Sequence, residues 1–168
     1  MKQRIAVYAG TFDVLTAGHL WMIEEGSRLF DRLIVAIGVN PEKEERSWFT
    51  LEERLLMLKE SVKNFSSVSV TSFTNQYLIT YAKSVGAEFM LRGIRTVSDY
   101  EYERTMRNIN EDLGNSVTTI FLMPPRELAE VSSSIVKSLI GPEGWERVVE
   151  DLVPDPVFEK LKRRLYAR

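Results

Sequence analysis

Residues 5–39 read IAVYAGTFDVLTAGHLWMIEEGSRLFDRLIVAIGV, and the order of events along them decides the fold. Ile5 to Ala9 is a short apolar run ended by Gly10. Gly18 to Phe30 then has helical spacing, with Met22, Ile23, Leu29 and Phe30 on one side. Leu33 to Val39 is apolar almost throughout. A strand apolar at nearly every position is covered on both faces, the condition of a strand inside a parallel sheet. Strand, helix and strand in that order predict a βαβ unit.

The same alternation continues outward. Val68 to Phe73, Phe89 to Leu91 and Val117 to Met123 read as three further strands. Thr50–Leu51–Glu52–Glu53 matches a capping box and opens a helix that runs to about Lys63. Tyr77 to Val85 reads as a helix stopped by Gly86, and Thr96 to Asp99 starts one that ends near Leu113–Gly114. Ser132 to Ile140 is a helix stopped by Gly141, and Asp155–Pro156 places proline at the first position of a basic terminal helix. The charged stretch Asn40 to Ser47 is expected to be a solvated, mobile loop. The predicted fold class is α/β: a single, doubly wound, five-stranded parallel sheet with C-terminal helices. A length of 168 residues fits one domain over 1–168, with a core to about 140 and a helical tail from about 141.

Composition removes whole classes of chemistry. The chain has no cysteine, which excludes disulfides, zinc–thiolate sites, iron–sulfur clusters and thiol nucleophiles. Its 22 basic and 24 acidic residues give a formal charge of −2, which argues against a broad nucleic-acid surface. The apolar run behind Lys2 and Arg4 is too short for a signal peptide, and no stretch is long enough to span a membrane. The expectation is a cytoplasmic protein with neither nucleic acid nor membrane as partner.

In an open parallel sheet, ligands bind beyond the carboxyl ends of the strands, where the strand order reverses. After the first strand come Gly10, Thr11, Gly18 and the single histidine, His19. After the fourth come Arg92, Gly93 and Arg95, and after the fifth Ser132–Ser133–Ser134 and Lys137. Hydroxyls, free backbone amides at helix starts and fixed cations are the equipment for an anion, phosphate above all. Arg92 and Arg95, flanking a glycine behind a buried strand, are expected to repel each other without an anion between them. The bland reading of Asp99 to Glu103 is a solvated helix face pairing with Arg104 and Arg107. The two commonest nucleotide fingerprints, Gly-x-x-x-x-Gly-Lys-[Ser/Thr] and Gly-x-Gly-x-x-Gly, are absent, and no serine sits in Gly-x-Ser-x-Gly.

Thr11–Phe12–Asp13–Val14–Leu15–Thr16–Ala17–Gly18–His19 resembles the T/HxGH signature of the nucleotidylyltransferase superfamily, and Val131 to Lys137 resembles its ISSSxxR/K signature. Two further pieces look like the phosphopantetheine adenylyltransferase family: Arg92–Gly93–Ile94–Arg95 followed by Asp99 to Glu103, and Phe49 to Arg54. The resemblance implies a Rossmann-like fold and transfer of adenylyl from ATP to 4′-phosphopantetheine, giving dephospho-coenzyme A and pyrophosphate, with Mg²⁺ as cofactor. It implies catalytic roles for His19, Thr11, Lys43 and Arg95, and acceptor binding by Thr11, Lys43, Tyr77, Leu78, Arg92 and Asn110. It implies an ATP site of Thr11, Phe12, Gly18, His19, Arg92, Gly93, Arg95, Tyr102, Glu103, Val131 to Ser134 and Lys137, with no protein ligands for the metal. It further implies a homohexamer and coenzyme A as a feedback ligand. Two other readings remain at this point: a related transferase with another phosphorylated acceptor, and a non-catalytic regulator that binds nucleotide or coenzyme A.

Overall fold

The structure, a computed structural model, describes residues 2–113 and 117–166; Gly114, expected at a helix end, lies outside them, as do the side chains of Glu42 and Lys43. Five strands form one sheet: β1 (Ile5–Gly10), β2 (Arg32–Val39), β3 (Val68–Thr74), β4 (Phe89–Gly93) and β5 (Thr118–Leu122). Their order is β3-β2-β1-β4-β5, every neighbouring pair parallel. The chain therefore winds outward in one direction from β1 and then in the other, and the order reverses between β1 and β4. This is the doubly wound sheet that the alternation predicts.

Helices α1 (Ala17–Leu29), α2 (Pro41–Glu44), α3 (Leu51–Val62), α4 (Leu78–Ser84), α5 (Val97–Asp112), α6 (Ser133–Leu139), α7 (Trp145–Val149) and α8 (Asp155–Tyr166) connect and cover the strands. Alternation along the strands divides the interior in two. Ala6, Tyr8, Leu33, Val35, Ile37 and Leu91 face a large apolar cluster shared with α1, α3, α6, α7 and α8. Val7, Ala9, Ile34, Ala36 and Met90 face a smaller one supplied by Ile79, Tyr81 and Ala82 of α4. The segment after Gly141 packs into the larger cluster through Trp145, Val149, Val153, Val157 and Leu161, while Val148 stays exposed.

Local chemistry sets the helix ends. Thr50 and Glu53 make the expected reciprocal cap of α3, and Thr96 and Ser132 cap α5 and α6 through their hydroxyls. Two expectations are corrected. The stretch Asn40 to Ser47 carries α2, whose Glu44 pairs with the buried Arg54 of α3, so it is anchored at that point. In α1 the inner face is Met22, Ile23 and Gly26, with Leu29 42% exposed. A Cβ on Gly26 would stand 2.8 Å from Leu91 and 2.9 Å from Leu33, so glycine is what lets α1 lie close on the sheet.

Candidate active site

Where the strand order reverses, the carboxyl ends of β1 and β4 open a cleft of about 340 Å³. β1 and the loop behind it contribute Tyr8, Gly10 and Thr11; the start of α1 contributes Gly18 and His19. The end of β4 contributes Arg92, Gly93 and Arg95, α5 contributes Asp99, Tyr102 and Glu103, and the approach to α6 contributes Val131, Ser132 and Ser133. His19, both arginines and two of the three serines thus share one cavity. A second pocket, about 200 Å³, is lined by Tyr77, Leu78, Met90, Met106 and Asn110 and shares Arg92, Tyr102 and Glu103 with the first.

His19 is the third residue of α1 and completes a capping box with Thr16. The Thr16 hydroxyl accepts from the His19 backbone N–H at 3.4 Å, and His19 Nδ1 accepts from the Thr16 N–H at 3.1 Å. With Nδ1 an acceptor, the proton of the neutral ring sits on Nε2. Burial, reinforced by the Arg95 charge, lowers the His19 pKa from 6.5 to about 4, so the ring is neutral at physiological pH. The geometry makes a fixed, uncharged Nε2–H donor at a helix start.

The two guanidiniums do not face each other bare; each has its own carboxylate. Glu103, 7% exposed, accepts from Arg92 Nε at 2.9 Å and also from Nη2, while Arg92 Nη1 donates to the Ala9 carbonyl at 3.1 Å. Two of the five guanidinium N–H groups remain for a ligand. Arg95 pairs with Asp99 at 3.2 Å and donates to the Val131 carbonyl at 3.3 Å. This corrects both sequence-based expectations: the arginines need no anion to coexist, and Asp99 and Glu103 turn inward to them. Arg107 instead pairs with Glu111, and Arg104 lies 6.0 Å from the Tyr100 ring centre.

The Cytidylyltransferase-like family model matches residues 7–139. The phosphopantetheine adenylyltransferase of Chromobacterium violaceum is 58% identical over 156 residues, 93% of this chain and 94% of that protein. The one from Caldanaerobacter subterraneus is 42% identical over 95% of this chain and 99% of its own length. The chain belongs to the phosphopantetheine adenylyltransferase family. In fold it is similar to the nicotinic acid mononucleotide adenylyltransferase of Plasmodium falciparum, with a TM-score of 0.70 at 15% identity over 99% of this chain and 98% of that one.

Several residues given roles by the family resemblance lie off the cleft walls or have hydroxyls engaged within the chain. Phe12 is 1% exposed, its ring packed edge-on against Tyr8 at 5.6 Å and His19 at 5.2 Å, so it backs the site. The Lys137 amine pairs with Asp13 at 2.5 Å and lies 5.5 Å from the Trp48 ring. The Ser133 hydroxyl donates to the Val14 carbonyl at 2.6 Å, the Ser132 hydroxyl accepts from Ile135, and Ser134 is exposed outside the lining. Lys43 sits on α2, with its side chain outside the described residues.

The residues that sequence reasoning left without a role build the corner behind Thr11 and His19. Asp13, buried, accepts from the backbone N–H of Trp48 and of Phe49, both at 3.0 Å, besides Lys137. Arg54, 2% exposed, donates to the Thr11 carbonyl at 3.0 Å and to that of Thr50 at 3.4 Å, and pairs with Glu44. Arg164 of α8 covers the same loop, 5.8 Å from the Trp48 ring centre and 5.5 Å from that of Phe49. Both Asp13 and Arg54 stand inside the quoted family motifs, which was the available signal; their distant partners, Trp48 for Asp13 and Thr11 for Arg54, 35 and 43 residues away, were not legible there.

Proposed function

We propose that this chain transfers the adenylyl group of ATP to the phosphate of 4′-phosphopantetheine. An oxygen of the acceptor phosphate attacks the α-phosphorus, the bond from that phosphorus to the bridging oxygen breaks, and pyrophosphate leaves, giving dephospho-coenzyme A. Membership of the family supports the reaction. The observation that carries it is the pair of adjoining pockets with Arg92 in both walls. In this reading the nucleotide occupies the first pocket and the pantetheine arm the second, beside Tyr77, Leu78 and Asn110. Arg92, with Lys43 and Thr11, holds the acceptor phosphate where the two meet.

Such a transfer needs no protein nucleophile, because the acceptor brings its own; the protein positions two polyanions and stabilises developing charge. His19 donates Nε2–H to a phosphate oxygen and is no base. Arg95 and the start of α6 at Ser132–Ser134 take the β- and γ-phosphates, and Gly18, Gly93, Tyr102, Glu103 and Val131 line the nucleotide. The chain's own residues do not fit a Mg²⁺ site. Among the described residues no group of three or more His, Asp or Glu side chains could hold a metal, and the cleft carboxylates are engaged by arginines. Mg²⁺ therefore belongs, in this proposal, to the phosphates of bound ATP.

The proposal extends to a cytoplasmic homohexamer with coenzyme A as feedback ligand. Exposed Val97, Tyr100, Ile109 and Met123 on and beside α5 support an assembly, and no helix among the described residues is long and apolar enough to cross a membrane. The deciding experiment is pyrophosphate release from ATP with 4′-phosphopantetheine, with nicotinic acid mononucleotide and without acceptor. Release with 4′-phosphopantetheine alone is expected. Release with the other acceptor only, or binding of ATP without release under any condition, overturns the proposal.

A further inference from the structure

Tyr8 has no part in the family motifs quoted above, yet it is a polar side chain at the floor of the cleft. The residue is only 7% exposed, and no hydrogen bond to its hydroxyl occurs among the described residues. No fully enclosed side-chain oxygen or nitrogen in the described chain lacks a partner. The Tyr8 hydroxyl is therefore not sealed in the core, and the residue that carries it lines the cleft. The ring is fixed behind it, edge-on to Phe12 at 5.6 Å and packed in the larger apolar cluster, so the hydroxyl has little freedom to seek solvent elsewhere. A phenylalanine would fill the same space in the apolar cluster, so packing alone does not account for the hydroxyl. The oxygen needs another reason.

We propose that Tyr8 is a further catalytic residue, its hydroxyl donating a hydrogen bond to a non-bridging oxygen of the phosphate being transferred. This rests on the adenylyl-transfer reading of the cleft. Tyr8 lies within electrostatic reach of both Arg92, given to the acceptor, and Arg95, given to the nucleotide, which is the neighbourhood of the reacting phosphorus. Burial pushes the phenol above its ordinary 10 despite the two cations, so the group is protonated through neutral pH and serves as a donor. A third cation there would be repelled by the arginines; a neutral O–H adds a hydrogen bond to the phosphate without that repulsion. With the His19 Nε2–H it gives the phosphate two uncharged, preorganised donors beside two charged ones.

Tyr8→Phe in the full chain removes the oxygen and keeps the ring. Relative to the unsubstituted chain, kcat for acceptor-dependent pyrophosphate release is expected to fall about 10- to 100-fold, the scale of a hydrogen bond to a charged group. KM for ATP should change by less than about threefold and Tm should be unchanged or raised. Wild-type turnover in the variant overturns the proposal, as does a loss of kcat accompanied by a lowered Tm. If the unsubstituted chain itself releases no pyrophosphate, the adenylyl-transfer reading has failed and the Tyr8 proposal that rests on it is overturned with it; release by the unsubstituted chain with equal release by the variant overturns the Tyr8 proposal alone.

Discussion

The two walls of the cleft are built on opposite plans. The β1–α1 corner is held from several sides by buried groups: Asp13 by two backbone N–H groups and Lys137, the Thr11 carbonyl by Arg54, His19 by its reciprocal cap with Thr16. The facing wall, α5, buries only Glu103 along sixteen residues and leaves Val97, Tyr100, Tyr102 and Ile109 exposed. What joins it to the site is a pair of arginine–carboxylate contacts, one largely enclosed and one open. A corner over-determined in this way keeps its atoms fixed, which is what preorganised stabilisation of developing charge requires. A wall with little apolar packing is among the easier parts of a fold to displace.

The comparison can be broken most readily at Asp13. Asp13→Ala strips the acceptor from two backbone N–H groups and leaves Lys137 half-buried without its partner. Urea denaturation should show a loss of about 3–5 kcal/mol, the range for removing one member of a buried pair. A loss below about 1 kcal/mol would mean the corner is not held as described. Next, His19→Ala should lower kcat by about 10²–10³-fold, the scale for losing one electrostatic donor. Near wild-type turnover would remove His19 from the chemistry.

A gentler probe uses acid. Because burial lowers the His19 pKa from 6.5 to about 4, between those values the unfolded chain binds a proton that the folded chain refuses. The His19 contribution to stability is therefore complete above pH 6.5 and declines as the pH drops toward 4. In activity, no histidine ionisation should appear between pH 6 and 8; an inflection near 6.5 that vanishes in the His19→Ala protein would contradict the buried neutral ring. The smallest effect belongs to the open wall. Asp99→Asn weakens a pair whose members are 27% and 34% exposed and should cost less than about 1 kcal/mol in thermal unfolding.

The parts legible in the sequence were those written locally. The sheet followed from apolar runs, the α3 cap from Thr50 and Glu53, and the cleft from the rule that ligands gather beyond strand ends where the order reverses. The parts that were not legible depend on distant partners. The spacing from Arg92 to Glu103 spans the end of a strand and half a helix, so no periodicity links them. Lys137 stands in the stretch that resembles a nucleotidylyltransferase signature, yet its pairing with Asp13 bridges 124 positions. The inner face of α1 departs from the apolar spacing at Leu29 because Gly26, with no side chain to count as apolar, holds the contact surface.

The placement of Arg164 over Trp48 and Phe49 bears on the order in which this molecule can be finished. The loop that Asp13 grips, between α2 and α3, is covered by a helix made much later in the chain. Domains otherwise tend to acquire structure from the amino end as they emerge. Here an earlier stretch of chain waits for a much later one, so the corner that carries His19 acquires its final cover only once α8 has been made.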